Sequence, residues 1–422
     1  MAILQVTSND ENFSFIIKKN PESGMQLRGI RKGTAFGWFS KQNTAYNILF
    51  KDADNAVSFG DQEFEYLNTS RFNSPLFILN AINEYFGSTV KEQTDLDVDG
   101  IEKTVFINLI EIKSIAQLFQ FEKYFPEFSI DYKPKVSKSY SLTISTKKSF
   151  HLLFNYLNLL TLFISLTSDE YIQVDSGTIE KYMNAIERLN APFFIRYLFS
   201  RNILNDKNNF EKYKPRLENS NLYHSMNMCY GDTATQRRSK IKTLLAFDKP
   251  ILDVGCGEGF YALSFASILK NDNIYHAVDI DKTLTKVVTT KASRKNIDNI
   301  STHNHIDEFL EIYDGETVVD ILLTEVIEHM PIEQSEQLIQ KILAGIKFDK
   351  FIITVPNKEF NQFYMIGADE FRHSDHDWEP TFEQFTTFIQ KTIPTTYKLN
   401  FLNMGDTVNG ISTSIGCVVM PG

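Results

Sequence analysis

Hydrophobic and polar positions change their period several times along the chain, and each change marks an element. Residues 1 to about 60 read as β-rich. Met-Ala-Ile-Leu-Gln-Val opens a strand, and Phe13-Ser-Phe-Ile-Ile-Lys18 and Ala35-Phe-Gly-Trp-Phe39 carry strand-like alternation between Pro21, Gly24, Gly29 and Gly33. Around Ser74-Pro-Leu-Phe-Ile-Leu-Asn-Ala-Ile-Asn-Glu-Tyr-Phe86 the period becomes helical, with Ser74 as N-cap, Pro75 at the first helical position and Gly87 as the stop. Residues 104–113 alternate again, before a helix over 115–124, a strand at Tyr140-Ser-Leu-Thr-Ile144 and an apolar helical stretch from His151 to Phe163. His151 on that stretch is expected to be a satisfied core histidine.

A polar run rich in Asn and Lys, from Asn205 to Pro215, reads as a linker, and strand–helix alternation follows it. The expected architecture is an N-terminal α+β domain over residues 1–202 and a C-terminal α/β, doubly wound domain over 203–422.

Composition is ordinary for globular chains, with 42% hydrophobic and 23% charged residues. No run is long and apolar enough for a membrane helix, and no signal peptide is visible, so a cytoplasmic protein without membrane contact is expected. Cys229, Cys256 and Cys417 lack metal-type spacing. Net charge is −10, and residues 203–422 alone hold 22 Lys+Arg against 30 Asp+Glu. That balance argues against coating long nucleic acid, so any nucleic-acid substrate must be gripped locally. The densest basic cluster is Arg237-Arg238-Ser-Lys240-Ile-Lys242, which could equally be a solvated helix face.

Chemistry concentrates in two places. Lys249-Pro-Ile-Leu-Asp-Val254 is a short strand that Gly255-Cys-Gly-Glu-Gly259 turns into a helix over Phe260–Lys270. Gly255, Gly257 and Gly259 allow a sharp turn and close backbone approach to a ligand, and the helix start presents free N–H groups. Asp253 can pair with a cationic amino-acid moiety, and Asp279, ending the next strand, can accept from two ribose hydroxyls. Asp281 reads as a helix cap. Asp253–Gly259 resembles the first motif of class I (Rossmann-like) methyltransferases, which implies S-adenosylmethionine as cofactor.

The second place follows the strand Val318–Thr324. If Glu325-Val-Ile-Glu328-His329 is helical, Glu325, Glu328 and His329 share one face. Two carboxylates and an imidazole suit Mn²⁺, and Mg²⁺ less well. The polar loop Phe371-Arg-His-Ser-Asp-His376, after the strand Lys350–Val355, adds His373, Asp375 and His376 at the same sheet end.

Glu325–Met330, Thr354-Val-Pro-Asn-Lys-Glu-Phe-Asn361 and Phe371–Phe385 together resemble the HEN family of small-RNA 3′-terminal ribose 2′-O-methyltransferases. The resemblance implies metal ligands Glu325, Glu328, His329 and His376. It also places Arg372 and His373 beside the reacting end, and a histidine so placed is the expected proton acceptor, with His373 the candidate. Phe13–Asn20, Arg71–Gly87 and Ser139–Tyr171 look like the N-terminal domain of bacterial members. Those members act in RNA repair with a polynucleotide kinase–phosphatase/ligase, and their N-terminal domain resembles a ligase-activating element. The implied substrate is an RNA 3′ end bearing both hydroxyls. One departure stands out: Trp378-Glu-Pro380-Thr-Phe382 replaces the family's Phe-Glu-Trp-Thr-Arg. Two other readings fit parts of the chain. One is a metal-free small-molecule or quinone O-methyltransferase, which Glu325–His329 also resembles; the other is a binding subunit that mainly activates a ligase.

Overall fold

The computed structural model describes residues 3–30, 33–40, 42–51, 73–136, 138–166, 175–364, 366–367 and 369–422. Met1 and Ala2 of the expected first strand, and Arg71 and Tyr171 of the resemblance, lie outside the described residues. The chain divides into two units, Met1–Leu222 and Tyr223–Gly422. The expected linker is instead a helix, Lys207–Glu218, which moves the boundary from 202/203 to 222/223. Asp206 caps it by accepting from Asn209 N at 2.9 Å. Phe210, Tyr213 and Leu217 bury one helical face, and Arg216 pairs with Glu180 at 2.8 Å and Glu187 at 2.6 Å.

The first unit holds one antiparallel sheet of β1 (Ile3–Ser8), β2 (Gln26–Ile30), β3 (Gly33–Phe39), β4 (Ala45–Lys51), β5 (Lys103–Glu111), β6 (Phe128–Val136) and β7 (Ser139–Thr146). Their order is β2-β3-β4-β1-β5-β7-β6. Helix Pro75–Lys91 packs on helix Phe150–Leu166, with Phe86 and Phe154 stacked at 4.6 Å. Two expectations fail here. Phe13–Ile16 is a helical turn rather than a strand, because Phe13, Ile16 and Ile17 enter the core at helical spacing while Phe15 is 71% exposed. Gly87 does not stop its helix, which continues to Lys91 past a local distortion at Phe86. His151 is a core histidine, as expected: its Nδ1 lies 2.8 Å from Thr89 O, and burial lowers its pKa.

The second unit contains β8 (Met226–Asn227), β9 (Ile251–Val254), β10 (Tyr275–Val278), β11 (Ile300–His303), β12 (Val319–Thr324), β13 (Phe348–Pro356), β14 (Tyr397–Val408) and β15 (Ile411–Pro421). Their order is β11-β10-β9-β12-β13-β15-β14-β8. Strands β9 to β13 run parallel, and β15 enters antiparallel between β13 and β14. Every residue of β9 and β12 is buried, as expected for strands covered on both faces. The chain winds outward from β9 to β11, then crosses back to β12. The crevice at the carboxyl ends of β9 and β12 is therefore the topological switch point, where open α/β sheets bind ligands.

Candidate active site

The loop after β9 holds Gly255, Gly257 and Gly259 at φ of +81°, +53° and +83°, a region that disfavours side chains. Close approach adds a second constraint at Gly255, where a Cβ would meet Val326 Cγ2 at 2.3 Å. Around Gly257 a Cβ would meet nothing within 4 Å, so the loop backbone there faces open space. The helix expected over Phe260–Lys270 is shorter, a turn at Ala262–Phe265 followed by a 3₁₀ turn at Ala266–Ile268.

Asp279 Oδ2 accepts from Gly257 N at 2.8 Å and its Oδ1 from Asp281 N at 2.9 Å, so the carboxylate is fixed beside the loop. Asp281 caps helix Lys282–Arg294, as expected, by accepting from Thr283 N at 2.7 Å. Asp253, in β9 just before the loop, is fully buried. Tyr275 Oη donates to its Oδ2 at 2.8 Å, while Oδ1 has no partner among the described residues. Burial, with the Asp279 charge adding to it, pushes the Asp253 carboxyl up to about 7. Cys256 is buried filler whose thiol burial pushes up.

The segment after β12 departs from the expected helix. Glu325 sits at φ +54°, and a 3₁₀ turn, Ile327–His329, follows it. Glu325 and Glu328 therefore do not share a helical face. Glu325 Oε2 lies 2.9 Å from Arg237 Nη1, and its Oε1 accepts from Thr354 Oγ1 at 3.0 Å. Arg237, from the basic cluster on helix Thr233–Leu244, is thus buried rather than solvated, and its Nε also donates to Tyr261 Oη at 3.0 Å.

The structure brings Glu328, His329 and His376 together, with one potential ligand atom from each within 4.8 Å of the others. Glu325 is not in that group. The loop carrying His376 is tied to the 3₁₀ turn: Asp377 N donates to Glu328 O at 2.8 Å, and Trp378 Nε1 to Ile327 O at 2.7 Å. His376 Nδ1 lies 2.6 Å from Glu379 Oε1, and both side chains are almost wholly buried. His329 Nδ1 lies 3.2 Å from Asp375 Oδ2 and 3.2 Å from Asp375 O. Each ring thus faces an acceptor with Nδ1, which leaves its Nε2 for a ligand. The Glu328 carboxylate is fully buried, and neither oxygen has a hydrogen-bond partner among the described residues. Burial foremost, then the nearby Glu325 charge, holds its pKa well above the ordinary carboxylate range.

Glu379 was not anticipated as a site residue. It accepts from His376, from Arg372 N at 2.7 Å and from Asn361 Nδ2 at 2.6 Å. The available signal was a carboxylate three residues after a histidine, which only the loop's path makes meaningful. Arg372 commits its guanidinium to protein: Nε donates to Asn361 Oδ1 at 2.6 Å, Nη2 to Asn357 O at 2.7 Å and Nη1 to Thr413 O at 2.8 Å. It braces the loop. His373 is exposed beside the cluster, its ring 5.2 Å from that of His376. Pro380 and Phe382 are accommodated locally: Pro380 O accepts from Lys358 N at 3.0 Å, and Phe382 begins helix Phe382–Thr392 behind the Thr381 capping box.

A parallel sheet with an inserted antiparallel strand, and a glycine loop at its switch point, define a Rossmann-like S-adenosylmethionine methyltransferase domain, and the methyltransferase domain family matches residues 251–348. The Hen1 N-terminal domain family matches residues 3–222, and the chain belongs to the Hen1 family. A small RNA 2′-O-methyltransferase from Caenorhabditis elegans is 22% identical over 257 residues, which cover 53% of this chain and 58% of that protein. The chain therefore matches little more than half the length of that curated relative. A chain from a solved Pnkp1/Rnl/Hen1 RNA repair complex is 25% identical with a TM-score of 0.79, covering 99% of this chain and 100% of that one. A second structure of the Pnkp1/Rnl/Hen1 complex gives 25% identity and a TM-score of 0.78.

Proposed function

We propose that this chain methylates the 2′-hydroxyl of the ribose at an RNA 3′ terminus, with S-adenosylmethionine as donor and a divalent cation, Mn²⁺ ahead of Mg²⁺, at Glu328, His329 and His376. The Glu328 carboxylate carries this reading. It is buried, without a hydrogen-bond partner among the described residues, and next to two imidazoles with Nε2 available. An uncompensated buried carboxylate is costly, and a cation coordinated there offsets that cost. The acceptor is inferred from Hen1 family membership and from the C. elegans relative's name. The similarity to a chain of the Pnkp1/Rnl/Hen1 RNA repair complex supports repair as the setting. We take a polynucleotide kinase–phosphatase and ligase as partners on the same ground.

A bound cation supplies Lewis acidity that lowers the pKa of a coordinated hydroxyl. The chain's residues do the rest. Gly255–Gly259 and Asp279 hold the donor, Asp279 through its ribose hydroxyls. Glu379 and Asp375 orient the two imidazoles, and Arg372 fixes the loop that carries them. His373 accepts the 2′-hydroxyl proton as the oxygen–methyl bond forms and the sulfur–methyl bond breaks in line. Glu325, held by Arg237 and Thr354, adds negative charge beside the site. A terminal ribose offers adjacent 2′- and 3′-hydroxyls, whereas an internal one has its 3′ oxygen in a phosphodiester.

The test is an assay of labelled methyl transfer to RNA oligonucleotides ending in a 2′,3′-diol, a 2′-deoxyribose or a 3′-phosphate, with chelator or with Mn²⁺. Transfer confined to the diol, lost with chelator and restored by Mn²⁺, is expected. Transfer that chelator does not affect would place the chain with metal-free O-methyltransferases.

A further inference from the structure

The outer side of the cofactor loop carries a cleft of about 480 Å³ bordered by Arg238, Glu258, Gly259, Phe260, Lys291 and Lys295. Its cations come from two helices, Thr233–Leu244 and the segment around Lys282–Arg294. Arg238 lies over the Phe260 ring at 4.1 Å and donates from Nη1 to Phe260 O at 3.3 Å. Lys291 pairs with Glu258 at 2.6 Å, while Lys295 is exposed and has no ion pair among the described residues. Phe260 is 38% exposed. The cleft therefore joins a net positive charge to an aromatic–guanidinium platform, in a unit whose overall charge is negative.

Consecutive residues connect this cleft to the reaction centre. Arg237 donates inward to Tyr261 and pairs with Glu325, while Arg238 turns outward onto Phe260. Two adjacent arginines thus grip two adjacent aromatic residues, one pair facing the centre and the other the cleft. Single-stranded nucleic acids are held by this combination, with cations on the backbone and bases stacked on aromatic or guanidinium planes.

We propose that the Arg238–Phe260–Lys295 cleft is a subsite for the RNA strand upstream of the reacting end, taking one or more backbone phosphates and stacking a base on the Arg238–Phe260 platform. This rests on the RNA acceptor proposed above. It gives the chain the local grip that its net charge requires.

The test uses the full chain, comparing parent, Phe260→Ala and the double variant Arg238→Ala/Lys295→Ala. Binding of a labelled single-stranded RNA is titrated across salt concentrations, and methyl transfer is measured with a long RNA and with a dinucleotide. Single strands lose affinity with a logarithmic salt slope of about −0.7 per phosphate contact, so the double variant should bind with a slope shallower by about 0.7 if Lys295 alone meets a phosphate and about 1.4 if Arg238 does too. Phe260→Ala should weaken binding about tenfold. KM for the long RNA should rise about tenfold in the double variant, with kcat, donor KM and the dinucleotide reaction unchanged. An unchanged salt slope overturns the subsite, and so does a raised donor KM, which would assign the cleft to the donor. If the parent binds RNA through these residues yet methylates none, the subsite stands and the acceptor reading falls. A parent that binds no single-stranded RNA removes the subsite outright.

Discussion

Asp253 and Glu328 are both fully buried carboxylates near the switch point, and burial raises the pKa of each, yet their surroundings differ. Asp253 has the Tyr275 hydroxyl on one oxygen, and only its other oxygen is without a partner among the described residues. Glu328 has no hydrogen-bond partner on either oxygen among the described residues, and two imidazoles stand beside it. The first is a carboxyl tied to the neighbouring strand β10. The second has the surroundings of a ligand. Burial alone does not separate the two roles; what lies within bonding distance does.

Substitution breaks or sharpens this contrast. Glu328→Gln or His376→Ala should lower methyl transfer to RNA ends on the order of a thousandfold. Glu328→Gln should also abolish the stabilisation by Mn²⁺ expected of the parent, about 2.7 kcal/mol at a hundredfold excess over Kd, followed as a shift in melting temperature. A folded Glu328→Gln protein that keeps both would make the two carboxylates equivalent. Asp253→Asn should act on stability instead. The folded chain keeps the Asp253 proton from the ordinary 3.8 up to about 7, so this group's contribution falls as pH rises through that window. The loss is at most about 4 kcal/mol, and Asp253→Asn should flatten it in denaturation measured from pH 4 to pH 8. Parallel stability curves for variant and parent would contradict the assignment. Glu379→Gln should weaken Mn²⁺ affinity by about 10–100-fold, because it orients His376 from a buried position. Asp375→Asn should cost about threefold in the same titration, since the Asp375 side chain is 70% exposed and its backbone carbonyl still faces His329.

Legibility in the sequence follows how local each determinant is. The turn at Gly255–Gly259 and the Asp281 cap are each set by a few neighbouring residues, and both are legible in the sequence. Strand order places the loop of His376 at the same sheet end as Glu328 and His329, but singling out His376 takes the family resemblance, because the loop meets the 3₁₀ turn through tertiary contacts. The Glu325–His329 segment misleads a helical reading. The chain must turn where Val326 packs against Gly255, and it does so with Glu325 in the left-handed region. The run from Asn205 to Pro215 has linker composition, but Phe210, Tyr213 and Leu217 at helical spacing decide the outcome, and Pro215 is tolerated inside the helix. Arg237 shows the limit of charge counting. It stands in a basic cluster, yet its guanidinium is buried against Glu325.

Strand β15 has a bearing on how the site comes into being. Thr413 and Ser414 lie on it, and they meet Arg372 and Arg237 respectively. β15 is also the strand slotted between β13 and β14, so sheet closure and bracing of the histidine loop are one event along the folding path. Pairings of long sequence separation form late. A partly folded chain could thus shape the glycine loop before the acceptor side exists. Pulsed hydrogen exchange should then find the amides that join β9 to β10 and β14 to β15, both local pairings, protected ahead of those that join β13 to β15, and simultaneous protection would contradict this order.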